Sequence, residues 1–364
     1  MALVNRELVP HGYDIIRNWD DADYYYVSGD LDSRLTVPVD VVYQGMTIVV
    51  CTSFEAHREI VDKIYRELIT DLSINPTQIL LISENADLES QIKTTAAQYN
   101  TGLINYDWSL VFEQGTRIQT IKELDIASSR NAYINQSTKS FLNFNRRWRL
   151  HRPVLVALLH AKGLLSKGHV SLGKDDFGNS NWIDKFDSVV QVIRNDEILH
   201  SLITSHKEEI LQLPEMYLDT SDLTINRDRL RHADIDKHST DKLYQDTYFS
   251  IVSETYFFEK VGRFLSEKTF KPIAYHHPFM LVTEARSLEL LRELGYKTFH
   301  PFINESYDQE ADDATRMRMI VDEVDRLSNM SVTEVAEFLK NVEHITTHNF
   351  KHLVTKKRHI HRKL

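Results

Sequence analysis

The stretch "MTIVVCTS" at residues 46–53 decides the fold class of this chain. An apolar run of this length without alternation is typical of a strand that is buried on both faces. The segment that follows, residues 55–72, places Ile60, Ile64 and Leu68 at helical spacing. A buried strand followed at once by an amphipathic helix is the unit from which helix-covered parallel sheets are built. The stretch therefore predicts an α/β protein.

The same alternation of strand and helix occurs on both sides of a more polar segment, residues 114–138. In chain order the patterns predict strand 78–83, helix 86–100, a strand from 101, strand 139–145, helix 152–165, strand 168–173, strand 248–255, a helix from 267, strand 279–285, helix 287–296, strand 297–301 and helices from 314 and 331. Two such runs indicate two Rossmann-like, doubly wound lobes that face a cleft, with domains at 1–135 and 136–345.

Two helix boundaries carry specific signals. Gly163 follows the apolar run of the helix predicted at 152–165, and glycine is the usual residue at a helix C-terminal stop. Ser331 and Glu334 have the three-residue spacing of a capping box, in which each residue satisfies the backbone N–H of the other. These signals predict where two helices end and begin.

Length and composition narrow the class of protein. The chain has 364 residues, of which 42% are apolar and 26% charged, as in globular proteins with more than one domain. Its single cysteine, Cys51, excludes a disulfide within the chain and fits a reducing compartment. No apolar run approaches the roughly 18 residues that span a bilayer, and the start lacks the layout of a signal peptide. We expect a soluble cytoplasmic protein without a membrane span, located in the host cytoplasm if it is viral.

The charge is distributed unevenly. The net charge is −10, yet the last 17 residues hold six Lys and Arg, four His and no acidic residue. We therefore predict a basic tail at 346–364 that follows the phosphates of double-stranded DNA. The alternative is a tail that only keeps the protein in solution.

Four arginines crowd the end of one predicted strand and the start of the next helix. They are Arg146, Arg147, Arg149 and Arg152, in "NFNRRWRLHRP" at residues 143–153. A helix N-terminus favours anions, and arginine binds phosphate through a planar fork of donors. The cluster indicates a phosphate site, and the alternative is a solvated basic face.

A carboxylate follows a second strand of the same lobe. In "SIVSETYF" at residues 250–257, Glu254 and Thr255 come directly after the strand. A carboxylate at a strand end can accept hydrogen bonds from a ribose, as in dinucleotide-binding folds. The alternative is that Thr255 or its neighbour Ser253 only caps the next helix.

The third group of polar residues begins a helix in "FLSEKTFKPIAYHHPFMLV", residues 264–282. Ser266 is placed to cap a helix that starts at Glu267, and Pro272 is expected to kink it. Lys268 in the first turn opposes the helix dipole unless an anion lies near. We interpret Glu267 and Lys268 as contacts to a ribose and a phosphate, and the alternative is a surface ion pair.

Several common sites are not indicated by the sequence. The adjacent His276 and His277 diverge too far on a helix to share one metal ion, so we predict no metal site. There is no Gly-rich phosphate loop and no Gly-x-Ser-x-Gly motif. Dehydrogenases, P-loop NTPases and α/β-hydrolases therefore lose their usual support.

The stretch at 140–173, which contains the four arginines, and the stretches at 249–282 and 290–308 together resemble phage and bacterial glycosyltransferases of the two-lobed GT-B type. The stretch at 249–282 is also similar to the donor-binding motif of α-1,3-fucosyltransferases. This chain has Ser-Glu-Thr and Ser-Glu-Lys where that family shows Glu-Asn-Ser and Thr-Glu-Lys. The likeness covers roughly residues 139–310 and leaves the donor sugar and the base open.

The resemblance implies a nucleotide-sugar-dependent enzyme that needs no organic cofactor and no metal, with a UDP- or GDP-sugar as donor. It carries Glu254, Glu267 and Lys268 over as donor contacts and Arg147 as a diphosphate contact. Combined with the residue patterns, the full set of candidate donor-binding residues is Arg146, Arg147, Arg149, Arg152, Glu254, Thr255, Ser266, Glu267, Lys268 and Lys271.

The acceptor and the catalytic base belong to the first lobe in this scheme. Glu55, His57 and Asp107 follow predicted strands there and are the candidates for the base that deprotonates the acceptor hydroxyl. For the acceptor we favour a 5-hydroxymethylated pyrimidine in phage DNA, because a basic tail can follow DNA phosphates. The alternatives are a glycan or lipopolysaccharide acceptor, and a non-catalytic nucleic-acid-binding module on a degenerate transferase fold.

Overall fold

The computed structural model describes residues 24–28, 34–35, 37, 47–51, 59–108, 116, 139–145, 149–173, 187, 190–191, 193–213, 216, 242–355 and 361–363. The chain forms two compact units. Unit 1 comprises Met1–Gly115, Val261–Leu265 and Lys356–Leu364, and unit 2 comprises Thr116–Lys260 and Ser266–Thr355. The predicted division near residue 135 lies outside the described residues.

Unit 1 is built on a mixed sheet with the order β1-β2-β3-β4-β9 in its described part. Its strands are β1 (Tyr24–Ser28), β2 (Thr47–Cys51), β3 (Ile79–Ser83), β4 (Asn105–Trp108) and β9 (His361–Lys363). Strands β1 to β4 are parallel, and β9 pairs with β4 in the antiparallel direction. The predicted parallel α/β arrangement of this part of the chain is thus confirmed.

The helices of unit 1 cover the sheet with the residues that the sequence pattern placed on their apolar face. Helix α1 (Glu59–Lys63) continues as a π-helical segment, Ile64–Asp71, and α2 is Leu88–Gln98. Ile60 and Leu68 are fully buried. Because the apolar stripe spans both segments, the core contact persists through the change in helix type.

Unit 2 contains a parallel sheet with the order β6-β5-β7-β8. In chain order its elements are β5 (Phe141–Asn143), α3 (His151–Ala161), β6 (Gly168–Val170), α4 (Glu197–Ser205), α5 (Lys207–Leu211), β7 (Phe249–Ser253), α6 (Glu267–Ala274), β8 (Phe279–Val282), α7 (Ser287–Glu293), α8 (Asp313–Ser328) and α9 (Val332–Thr355). Apart from the last predicted strand, and from α4 and α5, for which no bounds were predicted, these elements match the predicted ones within a few residues.

The strand predicted at 297–301 is wrong. The backbone of Lys297 is held by a side chain instead of a neighbouring strand, because Lys297 N–H donates to Asn349 Oδ1 at 2.8 Å and Asn349 Nδ2 donates to Lys297 O at 2.8 Å. Asn349 lies on α9 and is 1% exposed. A partner 52 residues away cannot be read from the local pattern.

The predicted helix boundaries at Gly163 and Ser331 are confirmed. Gly163 has a φ of 69°, and its N–H donates to His160 O at 2.8 Å. Leu164 N–H reaches Leu159 O at 2.8 Å, which completes a Schellman motif. At the other boundary, Ser331 N–H and Oγ both donate to Glu334 Oε2, at 2.8 and 2.7 Å.

The segment predicted as a basic tail, 346–364, begins inside the last helix of unit 2. Helix α9 runs through to Thr355, and its Leu353 is fully buried. Residues 361–363 then form β9, which joins the sheet of unit 1. The high charge of the last residues concealed this apolar stripe of α9. Within the described residues, no helix is both long and apolar enough to cross a membrane.

Candidate functional site

The carboxyl ends of the four parallel strands of unit 2 lie along one edge of its sheet, and that edge is lined by buried polar residues. We call this group the edge layer. Each member is at most 4% exposed: Asn143, Asn145, His151, Arg152, Ser171, Ser253, Glu254 and Thr283. Because a buried polar group is costly without a hydrogen bond, the partners of these side chains show what the layer is built to hold.

A chain of amide hydrogen bonds fixes Asn143 and Asn145. Asn143 Nδ2 donates to Ile251 O at 2.7 Å and to Ser253 Oγ at 3.1 Å, so its Oδ1 must face the other way. Asn143 Oδ1 accepts from Asn145 Nδ2. Asn145 Oδ1 is therefore an acceptor, and it is buried without a donor in the part of the chain that the structure describes.

His151, at the start of α3, has one partnered and one unpartnered ring nitrogen. Its Nε2 lies 2.9 Å from Glu254 O, and only a protonated nitrogen can donate to a carbonyl oxygen. Nδ1 is buried and has no partner among the described residues. Burial lowers the pKa of His151 well below its usual value, and the positive charges of Arg152, Arg149 and Lys268 lower it further, although the bond to Glu254 O opposes them.

The Glu254 carboxylate is fully buried and is engaged by donors of the protein itself. Oε1 accepts from Ser266 N–H at 3.0 Å and Thr269 Oγ1 at 2.5 Å. Oε2 accepts from Ser266 Oγ at 2.6 Å and from the N–H of Thr255 at 3.2 Å. In this structure Glu254 fixes the start of α6. Neither Thr255 nor Ser253 caps a helix, because the next helix along the chain begins only at Glu267.

The first turn of α6 is built as the sequence predicted. Ser266 is the N-cap, and its Oγ accepts from Lys268 N–H at 3.3 Å and Lys268 Nζ at 3.0 Å. Lys268 Nζ also contacts Glu267 Oε1 at 3.0 Å, with the two side chains 31% and 48% exposed. Burial opposes ionisation of Glu267, but the Lys268 ammonium outweighs it and lowers the pKa of the carboxyl. At this exposure the pair contributes about 0–1 kcal/mol to stability.

The two described arginines of the site contact carbonyl oxygens and an aromatic ring. Arg152 Nη2 donates to Ser253 O at 3.3 Å and to Glu254 O at 3.2 Å. The Arg149 guanidinium lies 6.0 Å from the centre of the Tyr256 ring. Both arginines thus stay close to the strand end where Glu254 follows β7.

Lys271 is exposed, and its Nζ lies 5.5 Å from the centre of the Phe144 ring. Phe144 follows β5 directly, so Lys271 lies near the same edge of the sheet. Arg146 and Arg147 lie outside the described residues.

The predicted catalytic bases belong to unit 1. Glu55 and His57 lie outside the described residues. Asp107 lies in β4, where its backbone pairs with Arg362 of β9, and its side chain is outside the described part. Their role as bases stays a prediction.

The two adjacent histidines bind to different parts of unit 2. His277 is held by Ser250 Oγ at 2.7 Å from Nδ1 and by Thr247 O at 2.9 Å from Nε2. His276 stacks on Phe350 at 4.2 Å. Among the described residues there is no group of three or more His, Cys, Asp or Glu side chains that could hold a metal ion.

Sequence reasoning did not nominate Asn143, Asn145 or His151 as site residues. A signal for the two asparagines was present in "FLNFN", because polar residues at the end of a buried strand need a partner or a ligand. His151 had no separate signal, since its neighbours in the sequence are arginines. Its importance follows from the contact with Glu254 O, 103 residues away.

Comparison with known proteins gives no family assignment. No protein-family model matches the chain. No curated protein matches it with significant similarity. The function of the chain is therefore inferred from the residues and contacts of the edge layer.

Proposed function

We propose that this protein is a nucleotide-sugar-dependent glycosyltransferase that binds the donor diphosphate at the carboxyl edge of the unit 2 sheet. The finer two-lobed GT-B architecture, with unit 1 on the acceptor side, is part of the proposal. The observation that carries it is the edge layer, where the charges of Arg152, Arg149 and Lys268 act on the buried His151 and two buried acceptor atoms have no donor among the described residues.

The start of α3 supports an anionic ligand. Helix α3 has no acidic residue in its first turn, and Arg152 lies there with Arg149 just before it. A helix N-terminus already carries a partial positive charge, so added arginines are unfavourable unless an anion binds. The positive charge of Lys268, in the first turn of α6, contributes to lowering the pKa of His151. A diphosphate at this end of the sheet would place negative charge among these positive groups.

The same groups suit the chemistry of sugar transfer. The bond between the sugar C1 and the diphosphate oxygen breaks while a bond from the acceptor oxygen to C1 forms. Negative charge develops on the departing diphosphate, and nearby guanidinium and ammonium groups stabilise it. The acceptor proton passes to a base, for which Glu55, His57 and Asp107 are the candidates.

For the acceptor we propose a 5-hydroxymethylated pyrimidine in DNA, with a glycan or lipopolysaccharide hydroxyl as the alternative. The support is the surplus of basic residues at the end of the chain. A second function, a non-catalytic binding module on a transferase fold, is favoured by one observation. Glu254, a donor contact in the resemblance, has both carboxylate oxygens engaged by the protein.

A thermal-shift screen over UDP, GDP, CDP and their sugars tests the proposal, because a ligand that binds only the folded state raises the melting temperature. We expect one nucleoside diphosphate to stabilise the protein and its unphosphorylated nucleoside not to do so. Arg149→Ala and Lys268→Ala should each weaken binding roughly 10-fold, since each removes a charged contact to phosphate. Arg286→Ala, which removes an exposed arginine paired with Glu289, is the matched control.

The outcomes separate the rival functions. Release of nucleoside diphosphate in the presence of hydroxymethylated DNA or of a glycan identifies the transferase and its acceptor. Nucleotide binding without any release under either condition indicates the binding module. If no nucleotide raises the melting temperature, the edge layer is not a donor site and the proposal fails.

A further inference from the structure

The edge layer contains two buried acceptor atoms whose orientation the structure determines. Asn145 Oδ1 must be the oxygen, because Asn145 Nδ2 is needed to donate to Asn143 Oδ1. His151 Nδ1 must carry the lone pair, because Nε2 is needed to donate to Glu254 O. Neither atom has a donor among the described residues. A bound molecule that donates hydrogen bonds would satisfy both atoms.

We infer that His151 Nδ1 and Asn145 Oδ1 accept hydrogen bonds from hydroxyl groups of a sugar ring in the bound nucleotide sugar. The inference rests on the proposed function and names the part of the ligand that these residues recognise. The two residues then determine specificity, whereas the arginines and Lys268 supply attraction for phosphate.

The chemistry of the two atoms excludes phosphate as their partner. An ionised phosphate offers acceptors only, and two acceptors facing each other repel. Protonation of His151 would turn Nδ1 into a donor, but burial and the charges of Arg152, Arg149 and Lys268 lower the pKa of the ring and so oppose protonation. A sugar hydroxyl donates one hydrogen bond and accepts others, so it can meet His151 while accepting from the neighbouring Arg152 or Arg149.

The two acceptor atoms also distinguish ligands that carry the hydroxyl group from ligands that lack it. A ligand that lacks the hydroxyl leaves a buried acceptor unpaired, and such losses cost roughly 10-fold or more in affinity. The hydroxyls can come from the ribose of the nucleotide or from the transferred sugar. Both sources present the same chemistry to Nδ1 and Oδ1, and ligand analogues distinguish them.

A thermodynamic cycle between protein and ligand tests the inference. The Kd is measured by titration calorimetry for the nucleoside diphosphate that stabilises the protein, for its 2′-deoxy and 3′-deoxy analogues, and for its sugar conjugate with single deoxy positions. The measurements are made on the wild type, on His151→Phe and on Asn145→Ala. Phenylalanine keeps an aromatic ring and removes the Nδ1 acceptor, while Glu254 O keeps Arg152 Nη2 as a donor. His344→Phe and Asn329→Ala, at exposed positions, are the controls.

The wild type and both controls should bind one deoxy analogue roughly 10-fold more weakly than the parent ligand. His151→Phe or Asn145→Ala should bind that analogue and the parent ligand with equal affinity. Loss of discrimination on the ribose analogues assigns the contact to the ribose, and loss on the conjugate assigns it to the transferred sugar. Because the readout is a ratio of affinities, a purely structural role, which weakens all ligands alike, does not reproduce it.

Two results overturn the inference. If the wild type binds every deoxy analogue as tightly as the parent ligand, no hydroxyl reaches the two acceptors, and this result needs no variant to fold. If the discrimination persists in both variants, other residues read the hydroxyls. In either case the proposed function stands, since the nucleotide still binds. A wild type that binds no nucleotide overturns the proposed function and, with it, the inference.

Discussion

At the scale of single residues, Glu254 shows how a motif can locate a site without assigning the role of its members. The pattern placed a carboxylate after a strand, and the structure confirms that position. Its oxygens, however, accept from Ser266 and Thr269, which belong to the start of α6. These donors come from residues 12 and 15 positions further along the chain. The carboxylate thus holds the helix that presents Lys268.

This role predicts the effect of removing the carboxylate. Glu254→Ala leaves the Ser266 and Thr269 donors buried and unpaired, so the free energy of unfolding should fall by about 3 kcal/mol. Glu254→Gln keeps one oxygen and should cost less, about 1–2 kcal/mol. Urea unfolding, with an unchanged dependence on denaturant, measures both. A variant of normal stability that loses nucleotide binding would show that Glu254 contacts the ligand instead.

At the scale of helices and strands, the sequence patterns predicted the elements that are determined by residues close together in the chain. Strand β3 was predicted at 78–83 and is Ile79–Ser83, and the stop at Gly163 needed only its neighbours in the sequence. The strand predicted at 297–301 was wrong because the structure there depends on a distant partner. The backbone of Lys297 forms hydrogen bonds with the side chain of Asn349 on α9. The acceptor role of His151 Nδ1, which has no partner among the described residues, could not be predicted either. It depends on the contact of Nε2 with Glu254 O, which is distant in the sequence.

The helix stop at Gly163 gives a prediction for α3. Gly163 has a φ of 69°, and a Cβ placed there meets no atom within 4 Å. Gly163→Ala therefore carries only the conformational cost of the left-handed region, about 1 kcal/mol. Gly102→Ala is the matched control, because its Cβ makes ordinary contact with Pro76 at 3.7 Å and its φ is not positive. Chemical denaturation of both variants should show a loss only for Gly163. Equal losses at the two sites would contradict the assignment.

At the scale of the whole molecule, buried carboxyl groups away from the edge layer link stability to pH. Glu305 Oε1 accepts from Phe299 N–H at 2.5 Å, and its side chain is 9% exposed. Burial raises the pKa of Glu305, although bonds to Thr298 and Phe299 and the charge of Arg292 partly offset it. Burial likewise raises the pKa of Asp308. Both carboxyl groups therefore bind a proton more tightly in the folded than in the unfolded protein.

The sign of the effect follows from linkage. A carboxyl whose pKa is higher in the folded than in the unfolded state makes the folded state bind more protons, so its contribution to stability is greatest at low pH and is lost as pH rises through the folded pKa. Glu305→Gln removes this titration and keeps an oxygen that can accept from Phe299 N–H. The stability of the variant relative to the wild type should therefore rise between pH 4 and pH 7.5. Urea unfolding of both proteins at these two pH values measures the difference, and other titrating groups cancel in it. A relative stability that falls over this interval would mean that Arg292 dominates and that the pKa of Glu305 is lowered on folding.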